Sequence, residues 1–243
     1  MDELKKVLVI VPTYNELENI KIITKAIRTN VPQVDVLIVD DNSPDGTGQI
    51  ADELSQMDPK IFVLHRKQKA GLGAAYLEGF AWAKNMEYDA VVEMDADGSH
   101  RPEDLIKILE KLANADVVLG SRWVSGGQVV NWPLHRKLLS QGGNLYTRMW
   151  LGIPIKDATG GFRAYRMQAL EKIGLTDVQS QGYCFQVDMA WRAVKAGLKV
   201  VEVPIVFIER QLGESKMSGD IVKEALTKVT IWGLQKRFGL FRG

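Results

Sequence analysis

Asp95 and Asp97 stand one residue apart in Met94-Asp95-Ala96-Asp97-Gly98-Ser99-His100, directly after the apolar run Ala90-Val91-Val92. That order reads as a strand leaving the core for a loop, with its last side chains at the surface. In an open α/β sheet this is the edge at which ligands bind. Two carboxylates so close repel each other unless something positive sits between them, and a divalent cation bound to a diphosphate is the commonest partner for such hard oxygen donors. An Asp-x-Asp turn by itself is a weak signal, because solvated acidic turns share the pattern. Other chemistry-bearing residues are sparse. Cys184 is the single cysteine, with no histidine near it in sequence, which fits a buried structural thiol in a reducing compartment better than a nucleophile. Lys69, just ahead of Gly71-Leu72-Gly73, has the reach to meet a phosphate.

The hydrophobic pattern gives the elements that must position these groups. Buried strands are expected at Lys6 to Val11, Val36 to Val39, Ile61 to Leu64, Ala90 towards Asp95 and Asp116 to Leu119. Between them, helical spacing runs from Leu17 to Thr29, onward from Thr47, and from Ala74 to Lys84. A further helix opens at Pro102, with Leu105, Ile106, Leu109 and Leu112 as its apolar face. After Gly120 the rhythm loosens into a basic amphipathic segment, a strand near Phe162 to Tyr165, a helix near Phe185 to Ala196 and a strand from Val200 to Ile208. Strands alternating with helices at this spacing predict an α/β protein, a single mostly parallel sheet flanked by helices, of nucleotide-binding architecture. A length of 243 residues suits one well-buried core, and without an internal repeat or linker the expectation is a single domain over 1–243.

The formal net charge of +1 excludes bulk attraction to nucleic acid, so no nucleic-acid partner is expected. The amino terminus is charged and leads straight into a strand, which is unlike a signal peptide. No uninterrupted apolar stretch approaches the ~18 residues of a membrane span. A cytoplasmic protein that meets a membrane from the side is the expectation.

The first strand is followed by Pro12-Thr13-Tyr14-Asn15-Glu16, not by the Gly-x-Gly-x-x-Gly turn of a dinucleotide site, and no Walker Lys-Ser/Thr occurs. Without a glycine-rich cradle, phosphate charge must be met by a metal, and Asp95 and Asp97 are the obvious holders. Pro12-x-Tyr14-Asn15-Glu16, Val39-Asp40-Asp41-x-Ser43-x-Asp45-Gly46-Thr47, Gly71-Leu72-Gly73, Asp95-x-Asp97 and Gly120-Ser121-Arg122 together resemble the family 2 glycosyltransferases of the GT-A type. Asp95-Ala96-Asp97-Gly98-Ser99-His100-x-Pro102, Asn131-Trp132-Pro133-x-x-Arg136-Lys137-x-x-Ser140 and Arg210-x-x-Gly213-x-Ser215-Lys216 narrow the resemblance to the dolichyl-phosphate (polyprenyl-phosphate) β-mannosyltransferases within that family.

The resemblance implies a GT-A nucleotide-diphospho-sugar transferase fold, with a nucleotide-sugar half over 1–120 and an acceptor half over 121–243. It implies inverting transfer of mannose from GDP-mannose to a polyprenyl phosphate. Pro12, Tyr14, Glu16, Val39 and Asp41 are then donor contacts, joined at the diphosphate by Asp95, Ala96, Asp97, Arg210 and Lys216. The metal, Mg2+ or Mn2+, is implied at Asp95 and Asp97, with Ser99 standing where some relatives carry a glutamine ligand. Arg122, Arg136 and Ser140 are the implied acceptor-phosphate contacts, and Asp97, Arg122 and Arg136 the implied catalytic set. Guanidinium forks suit phosphate oxygens. Because the phosphate nucleophile is already anionic, no histidine is needed as a base: His65 reads as structural, His100 and His135 as supporting residues.

Two stretches suit a membrane interface. Val129 to Leu139, followed by Tyr146, Arg148, Met149 and Trp150, mixes basic residues with Trp and Leu. Ile221 to Phe241 carries Ile221, Ala225, Val229 and Trp232 along one face, equally suited to core packing. An integral-membrane partner protein is a further expectation, since some relatives rely on one. Two rivals remain at this level: a UDP-glucose-dependent polyprenyl-phosphate glucosyltransferase, and a non-catalytic nucleotide-binding adaptor.

Overall fold

The structure, a computed structural model, describes residues 4–176, 178, 182–210 and 219–238. Its first half alternates as expected: β1 (Val7–Thr13), α1 (Ile20–Asn30), β2 (Asp35–Asp40), α2 (Thr47–Met57), β3 (Ile61–His65), α3 (Leu72–Asn85), β4 (Ala90–Glu93), α4 (Pro102–Leu112) and β5 (Val117–Ser121). The second half runs β6 (Gln128–Val130), α5 (Leu134–Leu151), β7 (Arg163–Arg166), α6 (Met167–Ile173), α7 (Gly182–Lys195), β8 (Val200–Pro204), β9 (Val206–Ile208) and α8 (Gly219–Arg237).

Seven strands form one sheet in the order β3-β2-β1-β4-β7-β5-β8, parallel except for β7, which runs antiparallel to both neighbours. The chain winds outward from β1 through β2 to β3, then returns to β1's other side with β4. The crevice beyond the carboxyl ends of β1 and β4 is therefore the sheet's switch point, the place where such sheets hold ligands. Asp95 emerges there because β4 ends at Glu93. One core lies under α3, α6 and α7, built around Tyr76, Phe80, Tyr165 and Phe185, and α5 and α8 extend it through Leu151 and Val229. The opposite face packs α1 and α4 through Ile20, Ile27, Leu105 and Ile108. Cys184 lies in the buried interior, where burial pushes its thiol up to about 12, as expected of a structural thiol.

Three local expectations change. The first helix starts at Ile20 rather than Leu17, because the Glu16 N–H donates to Thr47 Oγ1 and the Leu17 N–H to Asp45, tying residues 16 and 17 to the next turn. On α4 the buried face is Leu105, Ile108 and Leu112, while Ile106 is exposed. The strand expected over Val200 to Ile208 breaks at Ile205: β8 stays in the main sheet, and β9 pairs in parallel with β6 as a second, two-stranded sheet. On α8, Val229 is buried and Trp232 stacks on Trp191 at 5.5 Å, so that face packs on the core. The Ile221 side chain and Phe241 lie outside the described residues.

Candidate active site

Asp97 receives the Ser99 backbone N–H at 3.0 Å and the Arg210 guanidinium at 2.9 Å. Burial alone would push its carboxyl up, but the Ser99 hydrogen bonding and the Arg210 charge outweigh it, and the group sits below the usual carboxylate range. Asp95 goes the other way: burial first, and the neighbouring Asp97 charge with it, push its carboxyl up. His100 is buried and stacks on Phe162, with ring centroids 5.0 Å apart. Its Nδ1 accepts the Asp95 N–H at 3.0 Å, which leaves Nε2, 3.8 Å from Asp95 Oδ2, to carry the ring proton. Tyr76 donates to Asp95 Oδ1 from below at 3.4 Å. Ala96 and Ser99 are buried, so Ala96 offers a ligand its backbone, and Ser99 acts on Asp97 through its N–H. No group of three or more His, Cys, Asp or Glu side chains among the described residues forms a complete cage for a metal. Two hard carboxylates aimed out of a strand end fit a cation whose remaining ligands come from a diphosphate.

The β1 and β2 ends provide the flank. Pro12 pairs in register with Val39. The Val39 side chain is fully buried in the core, so its contribution to a ligand is limited to backbone. Asp41 is ion-paired with Arg66, which Glu78 also approaches at 2.9 Å. Glu16 accepts from Asn19 Nδ2 at 2.9 Å. Lys69 Nζ lies 3.8 Å from the Tyr14 ring centroid, bringing the lysine singled out in the sequence to the same flank. Asp45 does turn chemistry, accepting from the Thr47 N–H and hydroxyl. Lys216 lies outside the described residues.

Arg122, Arg136 and Ser140, expected from the sequence to meet an acceptor phosphate, converge as a second pole. Arg122 donates from Nε and Nη2 to both oxygens of the fully buried Asp157, at 2.7 and 2.6 Å, and its backbone N–H adds a third bond at 2.9 Å. Burial opposes the Asp157 charge, but Arg122 prevails and holds that carboxyl below the usual range. Gly127 secures this strand end by close approach: a Cβ there would lie 2.6 Å from Ser121 O. Arg136, on the first turn of α5, pairs with Glu209, and its Cζ sits 4.3 Å from the Trp132 ring centroid. Arg122, Trp132, Arg136 and Ser140 share a cavity of about 410 Å3 with apolar side chains of α5, α7 and α8, among them Leu139, Val187 and Val229.

Phe207, on β9, stands between the poles. Its ring lies 5.6 Å from His100 and 5.3 Å from Trp132, and Arg122 Cζ is 5.4 Å from its centroid. The acid pair and the arginine pair are thus one aromatic residue apart. The sequence reading did not single out Asp157, Glu209, Phe207 or Arg66 as partners. Asp157 had a signal, a lone acid opening the glycine-bearing turn Asp157-Ala158-Thr159-Gly160-Gly161; the others are matched to their partners only by the fold.

The model of glycosyl transferase family 2 matches residues 8–174. A polyprenol monophosphomannose synthase of Mycolicibacterium smegmatis is 54% identical over 241 residues, covering 98% of this chain and 91% of the relative. An undecaprenyl-phosphate mannosyltransferase of Micrococcus luteus is 54% identical over 233 residues, covering 96% of each. Among solved structures, a mannosyltransferase from Pyrobaculum calidifontis in complex with GDP-Man and Mn2+ superposes with a TM-score of 0.58 at 18% identity, over 93% of this chain and 69% of that one. At that identity the likeness is one of fold.

Proposed function

Since this chain belongs to glycosyl transferase family 2 and has the GT-A fold, we propose that it transfers mannose from GDP-mannose to a polyprenyl phosphate, giving polyprenyl phosphomannose with inverted configuration. The observation that carries this reading is the pair of poles on either side of Phe207. One is suited to a cation and a diphosphate; the other sets guanidinium groups beside an apolar cavity. Guanidinium groups suit an acceptor phosphate, and the apolar cavity beside them suits a hydrocarbon chain attached to it. The names of the relatives at 54% identity point the same way.

In the reaction, an acceptor phosphate oxygen bonds to the anomeric carbon of mannose as that carbon's bond to the β-phosphate oxygen of GDP breaks. A divalent cation, Mg2+ or Mn2+, held by Asp95 and Asp97 would neutralise charge on the departing diphosphate. This chain's own work is positioning and charge balance. Arg210, beside Asp97, faces the leaving diphosphate; Arg122 and Arg136, with Ser140, fix the acceptor phosphate in line. Pro12, Tyr14, Glu16 and Asp41 line the nucleoside flank. No general base is required, which agrees with the histidines: His65 is on the surface against Asp52, His100 is spent on Asp95, and His135 is exposed.

No helix among the described residues is long and apolar enough to cross a membrane. In this reading the lipid acceptor is met at the bilayer surface, on the cytoplasmic face, with any membrane partner binding alongside. Leu134, Leu138, Leu145 and Met149 are exposed on α5 and fall within one narrow stripe at helical spacing, beside Lys137 and Arg148.

Incubation with labelled GDP-mannose, divalent metal and a short polyprenyl phosphate should move label into organic solvent. Stabilisation and turnover with UDP-glucose but not with GDP-mannose would overturn the donor assignment, and label that remains in water would overturn the acceptor.

A further inference from the structure

Trp132 lies against both arginines of the acceptor pole, with Arg136 Cζ 4.3 Å and Arg122 Cζ 5.3 Å from its ring centroid. Phe207 meets the indole edge-on at 5.3 Å and 73°. Among the described residues the indole Nε1 is shielded from solvent and has no hydrogen-bond partner, and the same holds for Ser140 Oγ. Both residues line the cavity together with Arg122 and Arg136. A buried donor with no acceptor is destabilising, and phenylalanine would keep the ring stacking without that cost.

Charge gives the unmatched groups a purpose. Arg122 is balanced by Asp157 and Arg136 by Glu209, so neither guanidinium brings an uncompensated positive charge. A phosphate monoester offers more oxygens than two guanidinium groups need to hold, and each additional full charge on it would dull the attacking oxygen. Neutral donors orient the phosphate without that penalty.

We propose that the Trp132 indole N–H is a direct ligand of the acceptor phosphate, and that its ring supports both guanidinium groups through cation–π contact. This rests on the acceptor reading of the site given above. Trp132 is then a binding residue acting beside Ser140.

Trp132→Phe retains the ring and deletes the donor. The KM for a short polyprenyl phosphate should rise about tenfold, the scale of one charge-assisted hydrogen bond, with the KM for GDP-mannose unchanged and kcat within about threefold. Trp132→Leu, which also loses the cation–π contacts, should raise the acceptor KM further. A reading free of folding effects uses the unsubstituted chain labelled with 5-fluorotryptophan. The 19F resonance assigned through Trp132→Phe or Trp132→Tyr should shift on adding the short polyprenyl phosphate and stay in place on adding the parent alcohol. An unchanged acceptor KM in a folded Trp132→Phe, or a resonance indifferent to the phosphate, overturns the inference while the function stands. Failure of the unsubstituted chain to make any lipid product would instead overturn the function.

Discussion

Arg210 donates to Asp97 at 2.9 Å while its chain neighbour Glu209 is bound to Arg136. Consecutive side chains thus lay a cation on the acid pair and an anion on Arg136, each standing where, in the proposed reaction, a ligand of the same charge would sit. At Asp97 the guanidinium and a divalent cation compete for one carboxylate. Arg210→Ala is expected to tighten Mn2+ binding by the nucleotide-free protein by up to about fivefold, the upper end for a partly screened ion pair, measured by titration calorimetry. Turnover with GDP-mannose should fall, because the leaving diphosphate loses a counter-charge. Weaker or unchanged Mn2+ binding would show that Arg210 does not compete for the ion.

The same logic at the other pole gives the opposite sign. Glu209 occupies Arg136, and its charge repels an incoming phosphate. Glu209→Gln should lower the KM for the acceptor phosphate about threefold to tenfold, the range of an ion pair worth about 1 kcal/mol, and leave the KM for GDP-mannose alone. A raised acceptor KM would mean that Glu209 holds Arg136 in its working position.

How far this site could be read from the chain depends on what each residue's role requires. Asp95 and Asp97 alone were a weak signal, shared with solvated acidic turns, and gained weight only beside the other motifs of the chain. The first five strands were legible because buried parallel strands read as continuous apolar runs. Helical spacing itself favours Ile108, three residues on from Leu105, over Ile106, which one residue on turns roughly 100° away from the face of Leu105 and Leu112, and the burial follows that spacing. The break at Ile205 had a local signal in Pro204, which cannot donate to a strand ladder, but the choice of partner strand for β9 is made by the fold. Pairings across the fold, Asp157 with Arg122 or Phe207 with Trp132, span residues far apart in sequence and carry no local signature. Buried Glu93, whose carboxyl burial pushes up to about 8 beneath the acid pair, read only as the end of a strand.

Asp157 should dominate the stability of the pole around Arg122. Removing its charge leaves Arg122 buried without a counter-ion, a loss of about 3–5 kcal/mol, so Asp157→Asn should melt well below the parent. The pH dependence follows from the direction of its shift. Its folded value lies below the ordinary 3.8, so its contribution is fully present above 3.8 and is lost as pH falls through the folded value. Thermal melts from pH 7 to 3 should therefore show a shallower acid decline in Asp157→Asn than in the parent. Parallel curves would assign the acid loss to other carboxylates.

The stripe on α5 can be separated from catalysis because Leu145 and Met149 are 55% and 70% exposed and lie outside the cavity lining. Fully burying one such side chain is worth about 1.5–3 kcal/mol, and an interface that takes up part of each would still lose at least tenfold in partitioning when both become acidic. Leu145→Glu with Met149→Glu should leave the melting temperature nearly unchanged, since neither side chain packs in the core. Co-flotation with vesicles containing anionic lipid should fall by about tenfold or more, and turnover of a long polyprenyl phosphate embedded in those vesicles should fall with it. Turnover of a short acceptor dispersed in detergent should stay within about twofold, because the poles around Phe207 are untouched. Equal losses on both acceptors would tie the stripe to the active site, and undiminished flotation would move the membrane contact to another surface.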